Sequence, residues 1–476
     1  MNGVTLHVAV PPGREPERRH VLDVVLRDRL GLDWCLHTHD CPDVRITAES
    51  TDGRHVTLPD VLLACGERAW LTAASLPRAP IARLPVGPLG EDTPLAGRIP
   101  APWARPGARC AGEVGPDGVT LHVDVLGTVF ALLTRYEEVA AGGARDRYDR
   151  FPAASSIAGR EGLLGVPLAD LCVELLWAAL RRTWPGLRRR TTSYGVLLSH
   201  DVDEPLSTLG RGPRLLARQF AGDVVHRRDA GLVLRRARAV ADARRGRFDR
   251  DPHATFDFLC DVSERHGLRS AFYFLAANDV HDDLLGHPWV QRLVGHVHRR
   301  GHEVGLHAGF GTYRDAEATA AEFARLRALA QAQGVDQQRW GGRQHYLQWV
   351  NPDTWRHWDE AGLDYDCTLA FSEAAGFRTG TCHPYRAFDL LRRRPLRLVE
   401  QPFQVMDVTL FGYLGLHPDA AAETILDVAR QCRRFGGTLG LLWHNDEVLR
   451  TARQRRWYAE TVAAVATVTT ATTATA

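Results

Sequence analysis

The stretch YGVLLSHDVDEP, residues 194–205, decides the fold class of this chain. Its first five residues are mostly apolar and run directly into a polar cluster. This pattern is typical of a buried parallel strand that carries functional side chains at its carboxyl end. Because side chains alternate along an extended chain, Asp201 and Asp203 are expected on one face, and His200 and Val202 on the other.

The two aspartates of this stretch predict chemistry at the end of the strand. Neighbouring carboxylates repel each other, so either one is protonated or a cation lies beside them. The pair therefore indicates a metal site or a site with a perturbed carboxylate. A solvated turn, in which an aspartate caps the following helix, fits the stretch equally well, because D-x-D after an apolar run is short and common.

From Ser193 onward, apolar runs alternate with helical patterns. This alternation predicts parallel βα units, and hence an α/β barrel or an open doubly wound sheet. In a barrel, the polar residues at the strand ends converge on one rim. The predicted strands are Gly195–Ser199, Ala271–Leu275, Glu303–Leu306, Gln338–Gly341, Tyr365–Leu369, Leu398–Val405 and Thr438–Trp443. The predicted helices are His253–His266, Pro288–Arg299, Asp315–Gln333, Pro352–Ala361 and Asp419–Phe435.

Several other predicted strand ends also carry reactive side chains. His307 closes the strand of HEVGLH, and His444 follows the apolar run of TLGLLWHND. In WGGRQHY, two glycines allow close backbone approach, and Arg343 and His345 fall on one face. A single histidine in such a place is more often structural than functional. Four polar strand ends on the same side of the run favour one shared site.

Composition excludes several classes of function. The chain has 476 residues, of which 45% are apolar and 24% charged, so it is long enough for two or more domains. Its formal net charge of +2 gives no polyelectrolyte argument for nucleic-acid binding. The sequence contains no lysine. Schiff-base chemistry, a P-loop lysine and a lysine general base are therefore excluded.

Cysteine usage and hydropathy predict a location. The nine cysteines are an odd count and form no C-x-x-C pair, so they indicate neither a zinc knuckle nor a secreted disulfide framework. The N-terminus lacks the apolar core of a signal peptide, and no apolar run approaches the roughly 18 residues of a membrane span. These features predict a cytoplasmic protein with reduced thiols and no transmembrane segment.

Residues 1 to about 185 differ in pattern from the rest of the chain. An amphipathic helix is predicted over roughly Glu17 to Leu30, and a second helix over Leu168 to Leu180. The segment from Leu76 to Gly118 is rich in Pro and Gly and is predicted to be loop. No catalytic constellation is evident, which favours a supporting or partner-docking domain. The Thr/Ala tail, 467–476, is predicted to be disordered.

Over roughly Ser193 to Trp457, the chain resembles the polysaccharide deacetylases with a NodB-like domain. The resemblance implies a distorted (β/α) barrel over 190–460 and a divalent metal, usually zinc, that serves hydrolysis of acetamido groups on amino sugars. The N-terminal region, including LLTRYEE and DRFPAASSIA, resembles an uncharacterised domain often found ahead of this deacetylase type. That similarity implies a smaller α+β domain over 1–185.

The first two motifs of this family supply a base and metal ligands. By resemblance, Asp201 is the base and Asp203 a ligand, in the spaced D-x-D form of some branches. The second motif normally has two histidines four residues apart. Here His307 occupies the first place, and Gly311 the second. His345 is the candidate that would supply the missing imidazole, because it lies at another strand end.

The later motifs imply the remaining catalytic roles. Arg343 matches the arginine of the third motif, although His345 stands where proline is expected. Arg343 would hold the base ionised through a bidentate pair. His444 matches the catalytic histidine of the last motif and would protonate the leaving amine. Its pKa would need to be raised by a nearby carboxylate, such as Asp366 or Asp407.

The resemblance implies an amino-sugar substrate. With a cytoplasmic location, the expected partner is a small or lipid-linked precursor that contains an N-acetylhexosamine, rather than finished wall polymer. Tyr346, Tyr385 and Trp443 are candidates for stacking on a sugar ring, although each is equally compatible with an ordinary core position.

Two other functions remain open at this point. With Gly311 in place of a ligand, the barrel could be a degenerate module that binds a glycan or a partner without hydrolysis. Magnesium-dependent phosphoryl transfer through an aspartyl phosphate also uses an apolar strand followed by D-x-D. That chemistry normally requires a downstream lysine, which this chain lacks.

Overall fold

The structure, a computed structural model, describes residues 4–49, 53–90, 94–95, 97–142, 145–209, 221, 230–276, 283–446, 449 and 451–468. Within these residues the chain has a mixed α/β fold with three sheets, of six, nine and two strands. The α/β prediction is therefore confirmed. The part of the predicted tail from 469 onward lies outside the described residues. Among the described helices, none is long and apolar enough to cross a membrane.

Strands and α-helices alternate over residues 195–366, whereas the seven strands between residues 34 and 121 have no α-helix between them in the part of the chain that the structure describes. The strands are β1 (Leu6–Val10), β2 (Trp34–Thr38), β3 (Asp43–Ala48), β4 (His55–Pro59), β5 (Ala82–Pro85), β6 (Arg98–Ala101), β7 (Gly112–Gly115), β8 (Gly118–Leu121), β9 (Gly195–Val202), β10 (Ala271–Leu275), β11 (Glu303–Ala308), β12 (Gly341–Gln344), β13 (Tyr365–Asp366), β14 (Tyr385–Asp389), β15 (Arg394–Glu400), β16 (Val405–Met406) and β17 (Thr438–Leu442). The α-helices are α1 (Glu15–Leu22), α2 (Val125–Leu133), α3 (Tyr136–Ala140), α4 (Ile157–Arg160), α5 (Leu168–Thr183), α6 (Ala230–Ala243), α7 (Phe256–Arg265), α8 (Pro288–Arg299), α9 (Ala316–Ala332), α10 (Asp353–Ala361), α11 (Pro418–Arg434) and α12 (Ala452–Ala466).

The N-terminal region is built on the six-stranded sheet, in the order β2-β1-β3-β4-β8-β7. Burial alternates along β1, where Leu6, Val8 and Val10 are buried and the residues between them are partly exposed. One face of this sheet therefore packs on the core while the other meets solvent. The predicted N-terminal helix is split into α1 and a π-helical segment, Asp23–Arg29.

The nine-stranded sheet has the order β14-β15-β13-β12-β11-β10-β9-β17-β16. All neighbouring strands in it are parallel except β14 and β15, which form an antiparallel pair. The strand predicted over Leu398–Val405 is two strands, β15 and β16, with a short linker between them. The parallel strands bring their carboxyl ends to one side, as the sequence pattern predicts.

This sheet is strongly curved. Seven steps of about 4.8 Å separate β15 from β16 in the sheet order, which is about 34 Å in a flat sheet. The linker between them, residues 401–404, spans at most about 18 Å when fully extended. The sheet must therefore curl until its two ends approach each other. The sequence left an α/β barrel and an open doubly wound sheet as alternatives, and the resemblance implied a distorted (β/α) barrel. Among the described residues no hydrogen-bonded pairing closes the sheet, so it is an open, strongly curved sheet.

Side chains fill the concave face of the curved sheet. The hydroxyl groups of Tyr273 and Tyr365 lie 3.2 Å apart, although β10 and β13 are three strands apart in the order. The two glycines of β12 permit this close packing. A Cβ at Gly341 would lie 2.3 Å from the Tyr365 ring, and one at Gly342 would lie 1.8 Å from the Leu306 carbonyl oxygen. The predicted close backbone approach is thus present.

A buried ion network joins the N-terminal region to the curved sheet. Glu138 accepts hydrogen bonds from Arg378 at 2.8 and 2.9 Å and from Arg135 at 2.9 Å. All three side chains are at most 2% exposed. Burial alone would raise the pKa of Glu138, but Arg378 and Arg135 outweigh it and lower the pKa. The carboxylate therefore pairs with two buried guanidinium groups, and Glu137 also pairs with that of Arg135.

Substitution of this central carboxylate is expected to destabilise the protein. Glu138→Ala leaves Arg378 buried without a counter-charge and leaves Arg135 with Glu137 alone, and breaking a buried ion pair in this way typically costs about 3–5 kcal/mol. The thermal midpoint, followed by circular dichroism, should fall clearly. Glu360→Ala is the matched control, because Glu360 pairs with Arg392 and both side chains are about half exposed. That control should change stability by less than about 1 kcal/mol. Equal midpoints for the two variants would contradict the role given to the network.

Candidate functional site

The carboxyl ends of four strands meet around one pocket of about 520 Å³. β9 brings Asp201 and leads into Asp203, β11 carries His307, and β12 and β17 lead into His345 and His444. All five of these side chains line the pocket. Arg343 lies beneath them and is fully buried. The structure thus brings together the predicted residues of the four strand ends.

The D-x-D stretch has the predicted alternation. Asp201 and Asp203 both face the pocket. His200 points the other way, where its Nδ1 lies 2.8 Å from the Trp443 carbonyl oxygen and its ring packs 4.8 Å from Phe272. Asp201 is buried, whereas the Asp203 side chain is 25% exposed. The two carboxylates therefore differ in environment, although they are only two residues apart.

Asp203, His307 and His345 form a group of converging donor atoms. The Asp203 Oδ1 lies 2.9 Å from the His307 Nε2, and its Oδ2 lies 3.7 Å from the His345 Nε2. One ligand atom from each residue lies within 4.8 Å of the other two. The His307 Nδ1 is 2.9 Å from the Arg343 carbonyl oxygen. That contact places the proton of a neutral His307 on Nδ1 and leaves a lone pair on Nε2.

This donor set fits a divalent metal. The Asp203 Oδ1 is buried and has no hydrogen-bond partner within the described part of the chain. A carboxylate oxygen and a neutral imidazole nitrogen at 2.9 Å present lone pairs to each other, which is unfavourable unless a positive charge lies beside them. Two imidazoles and one carboxylate are also common ligands of zinc.

The conformation of the backbone explains why position 311 is a glycine. Gly311 has a φ of 86°, in the left-handed region that favours glycine. Its amide donates to the Gln348 Oε1 at 2.8 Å, which holds the loop in this conformation. A histidine at this position would be strained. The nearby imidazole comes instead from His345, whose ring centroid is 5.0 Å from that of His307.

Arg343 holds Asp201 by a single contact rather than by the predicted bidentate pair. Its Nη1 donates to the Asp201 Oδ1 at 2.6 Å. Its Nη2 donates to the Ser199 hydroxyl at 2.9 Å, and its Nε to the Cys367 carbonyl oxygen at 2.7 Å. Its Nη2 also lies 3.2 Å from the Cys367 Sγ. Because the buried guanidinium is shared among acceptors on three residues, it does not turn both nitrogens of one edge toward the carboxylate.

His444 is oriented by Asp407 and not by Asp366. The His444 Nδ1 lies 2.7 Å from the Asp407 Oδ1, and its backbone amide donates to the Oδ2 at 2.8 Å. Asp366 is fully buried, accepts a hydrogen bond from Thr368 and does not line the pocket. The prediction that Asp366 is catalytic is therefore corrected. Its carboxyl group belongs to the interior of the sheet and not to the pocket. The difference arises because β13 ends deep inside the curved sheet, whereas Asp407 follows β16 at the rim.

Charged neighbours outweigh the effect of burial on the pKa values of two pocket residues. Burial alone would lower the pKa of His444, but Asp407, with Asp203 and Asp201, outweighs it and raises this pKa well above its usual value. Burial alone would raise the pKa of Asp203, but His345 and His307 outweigh it and hold this pKa well below its usual value. Asp203 is therefore anionic at neutral pH.

Aromatic side chains form the rim of the pocket. Tyr346 is 43% exposed and lies 4.5 Å from His345, 4.8 Å from Tyr148 and 5.5 Å from Phe310, measured between ring centroids. Tyr413 is also exposed and lines the pocket. Tyr346 is thus placed where a ligand could stack on it. The other two stacking candidates, Tyr385 and Trp443, are buried core residues that do not line the pocket.

The N-terminal region contributes Arg150 to this pocket. Its Nη2 donates to the Tyr413 hydroxyl at 2.9 Å, its Nη1 to the Tyr346 carbonyl oxygen at 3.2 Å, and its Nε to the Asp146 Oδ2 at 2.8 Å. No sequence signal pointed to Arg150, because it stands in an irregular segment more than forty residues before β9. Only the folded chain brings it to the strand ends.

Comparison with protein families gives one match. A family of unknown function, DUF7033, matches residues 6–185. This match covers less than half of the chain. No curated protein matches the sequence.

Several solved structures are similar to about three-fifths of the chain. A structure assigned to a polysaccharide deacetylase from Mycobacterium smegmatis is 19% identical, with a TM-score of 0.40, over 60% of this chain and 87% of that one. The PuuE allantoinase is 14% identical, with a TM-score of 0.34, over 58% and 86%. A mutant of a CE4-family pseudoenzyme, BA3943, is 9% identical, with a TM-score of 0.29, over 58% and 63%. These scores are below 0.5, so the function must be argued from the side chains themselves.

Proposed function

We propose that this protein is a metal-dependent hydrolase that removes an N-acetyl or similar acyl group from an amino-sugar-containing glycan or glycan precursor. One observation carries the proposal. Beside the donor set of Asp203, His307 and His345 lie a carboxylate and a further histidine, each held in place by a hydrogen bond. These two side chains are Asp201 and His444. The Asp201 Oδ2 lies 3.8 Å from the His307 Nε2, and the His444 Nε2 lies 3.8 Å from the Asp203 Oδ2.

The donor set would hold a divalent ion, with zinc the first candidate because of its nitrogen and oxygen ligands. Such an ion polarises an amide carbonyl and makes water more acidic. The protein itself holds the donor atoms in position for a metal ion. The Arg343 carbonyl oxygen fixes the tautomer of His307, and the buried position of His307 limits its motion.

Asp201 is the proposed general base. The Arg343 guanidinium donates to its Oδ1 and leaves its Oδ2 directed toward His307. This charge-assisted hydrogen bond of 2.6 Å from a buried guanidinium sets the orientation of the carboxylate. Asp201 can thus accept a proton from water that attacks the amide carbon.

His444 is the proposed general acid. Asp407 accepts the Nδ1 hydrogen, so the Nε2 of a protonated His444 carries the second hydrogen on the side that faces the pocket. That proton can pass to the leaving amine as the carbon–nitrogen bond breaks. The carboxylate stabilises the imidazolium and fixes its ring, and thereby supplies the role that sequence reasoning divided between Asp366 and Asp407.

The rim supports a sugar as the acceptor group. Tyr346 and Phe310 expose aromatic surface beside polar pocket walls, an arrangement suited to the apolar face and hydroxyl groups of a hexosamine. The pocket volume lies in the range of roughly 300–1,000 Å³ that is usual for small-molecule sites. A short amino-sugar precursor, free or lipid-linked, is therefore the proposed substrate.

A glycan-binding module without hydrolysis is the second candidate. Gly311 at the place of a family ligand favours it, because the donor set then depends on His345, whose Nε2 is 3.7 Å from the nearest Asp203 oxygen. The two candidates differ in metal content and in acyl release. Both can be measured on one protein preparation.

Metal binding is expected to depend on both histidines. In protein purified without chelators, His307→Ala should contain one ion per chain fewer than wild type. The substitution removes the Nε2 ligand atom, which the hydrogen bond of the His307 Nδ1 to the Arg343 carbonyl oxygen holds in position. His345→Ala should lower the occupancy of the same site. Elemental analysis by mass spectrometry gives both numbers. His417→Ala is the control, since the His417 side chain is 72% exposed and pairs only with Asp419 among the described ion pairs. Full metal content in His345→Ala would remove His345 from the ligand set.

Substitutions of the two aspartates are expected to have different effects on metal content and turnover. Asp203→Asn should lose metal and activity together, because it removes a ligand. Asp201→Asn should retain metal while turnover falls by about 10²-fold to 10⁴-fold, the range typical of general-base loss. Asp419→Asn, at an exposed position, is the control. Metal content and acetate release should be measured on the same preparations. Equal metal loss in both pocket variants would make D-x-D a paired-carboxylate metal site, with the base elsewhere.

The substrate class is testable by acetate release. Short glycans and lipid-linked precursors that contain N-acetylhexosamine are expected to release acetate, and Tyr346→Ala should raise KM more than it lowers kcat. Leu391→Ala, another exposed apolar side chain but outside the pocket, should leave both constants unchanged. Release from polymeric chitin or peptidoglycan alone would contradict the precursor assignment. Absence of release from any N-acylated sugar by metal-loaded protein would favour the binding module.

A further inference from the structure

A second group of metal-type donors lies in the N-terminal region, on the solvent-facing side of the six-stranded sheet. It consists of His7 on β1 and of Cys35 and His37 on β2. These strands pair in parallel, with His7 opposite Cys35. His37 comes two residues after Cys35, so the alternation of a strand puts both side chains on the same face. We call this group the His7–Cys35–His37 cluster.

The three donor atoms of the cluster contact one another. The Cys35 Sγ lies 3.1 Å from the His7 Nδ1 and 3.2 Å from the His37 Nε2, and the two nitrogens lie 3.0 Å apart. Three atoms in such a triangle cannot all form good hydrogen bonds. A donated hydrogen points along one edge only, and the third atom then lies about 60° from that direction, where hydrogen bonding is weak. A cation beside the triangle would interact with all three at once.

The dimensions of the triangle fit a tetrahedral metal site. Zinc bonds of about 2.0 Å to nitrogen and about 2.3 Å to sulfur, at tetrahedral angles, put two nitrogens about 3.3 Å apart and a nitrogen and a sulfur about 3.5 Å apart. Each observed distance therefore needs to open by only a few tenths of an ångström. The imidazole rings are already stacked, with an interplanar angle of 17°.

The ligand types select the metal. A thiolate and two imidazoles without a carboxylate favour borderline or soft ions over magnesium and calcium. Three protein ligands leave the fourth tetrahedral position to water or to an incoming ligand. β2 is an edge strand, and His37 is exposed, so solvent reaches this position. On the same face, Arg45 of β3 contacts the His55 Nδ1, on the side away from β2.

The two other cysteine-containing groups in the described chain are weaker candidates. In the group of Cys110, Glu113 and His122, the Cys110 Sγ is 3.9 Å from the carboxylate and 3.8 Å from the imidazole. In the buried group of Asp170, Cys382 and His383, the donors are already used. There the carboxylate pairs with Arg29 and accepts from its neighbours, and the imidazole contacts a backbone carbonyl.

We propose that the His7–Cys35–His37 cluster binds a divalent ion of the zinc type, with an open fourth coordination position. This site is separate from the pocket at the strand ends, and it stands whether or not the protein is a hydrolase. Its position on the outer face of the N-terminal sheet gives that region a chemical function of its own.

Cobalt(II) tests the proposal, because a cobalt–thiolate bond gives an intense near-ultraviolet charge-transfer band and tetrahedral cobalt gives strong visible bands. The full-length His307→Ala variant, treated with a chelator and then freed of it, is titrated with cobalt(II) alone. We expect one ion per chain with both sets of bands. Added imidazole should shift the visible bands by taking the open position.

Substitutions identify the ligands. Cys35→Ser should abolish the charge-transfer band, and His37→Ala should weaken cobalt binding by more than the roughly 10-fold to 100-fold loss usual for residues outside the ligand shell. Cys110→Ser is the matched control and should leave the spectrum unchanged. The proposal is overturned if no charge-transfer band forms, or if the band survives Cys35→Ser. Circular dichroism of each variant ensures that a lost band does not come from unfolding, since these partly exposed side chains lie outside the core.

Discussion

The buried contact between Arg343 and Asp201 is the constraint on which the candidate site depends. The two residues belong to β12 and β9, which are three strands apart in the sheet order. In a flat sheet these strands would be about 14 Å apart with side chains perpendicular to the sheet, so a contact of 2.6 Å can form only across a concave face. The same curvature brings His307 and His444 to one pocket. A buried guanidinium without its carboxylate is costly, so the ion pair and the curvature stabilise each other.

The sequence predicts those parts of the site that depend on local periodicity. Alternation along β9 separates Asp201 and Asp203 from His200, as the structure has it. Parallel βα units place the carboxyl ends of their strands on one side, which is why apolar runs ending in His307 and His444 could be assigned to one rim. The bounds of β10 and α8 are also those predicted. In each case the prediction depends only on the residue pattern within one strand or helix, or on the rule that parallel strands place their carboxyl ends on the same side of the sheet.

The sequence does not predict contacts that depend on register or on irregular chain. Asp366 and Asp407 were equivalent partners for His444 until the depth of each strand end was known. Arg150 reaches the pocket from an irregular segment. The His7–Cys35–His37 cluster needs the parallel register of β1 and β2, and neither the C-x-H spacing nor a distant histidine indicates that pairing. The antiparallel strand β14 was missed for the same reason, because its pairing with β15 is a property of the folded sheet.

The pocket therefore belongs to both regions of the chain, wherever a domain boundary is drawn near residue 185. Arg150 donates to the hydroxyl group of Tyr413 and to the carbonyl of Tyr346, and Gln348 donates to the carbonyl of Tyr148. These contacts hold Tyr346 in place although its φ of 57° is unfavourable for a non-glycine residue. The aromatic rim is thus positioned by the N-terminal region, while the polar groups at the base of the pocket are positioned by the curved sheet. Because the Glu138 network fixes one region on the other, the aromatic rim and the polar base of the pocket are supported by different parts of a single structure.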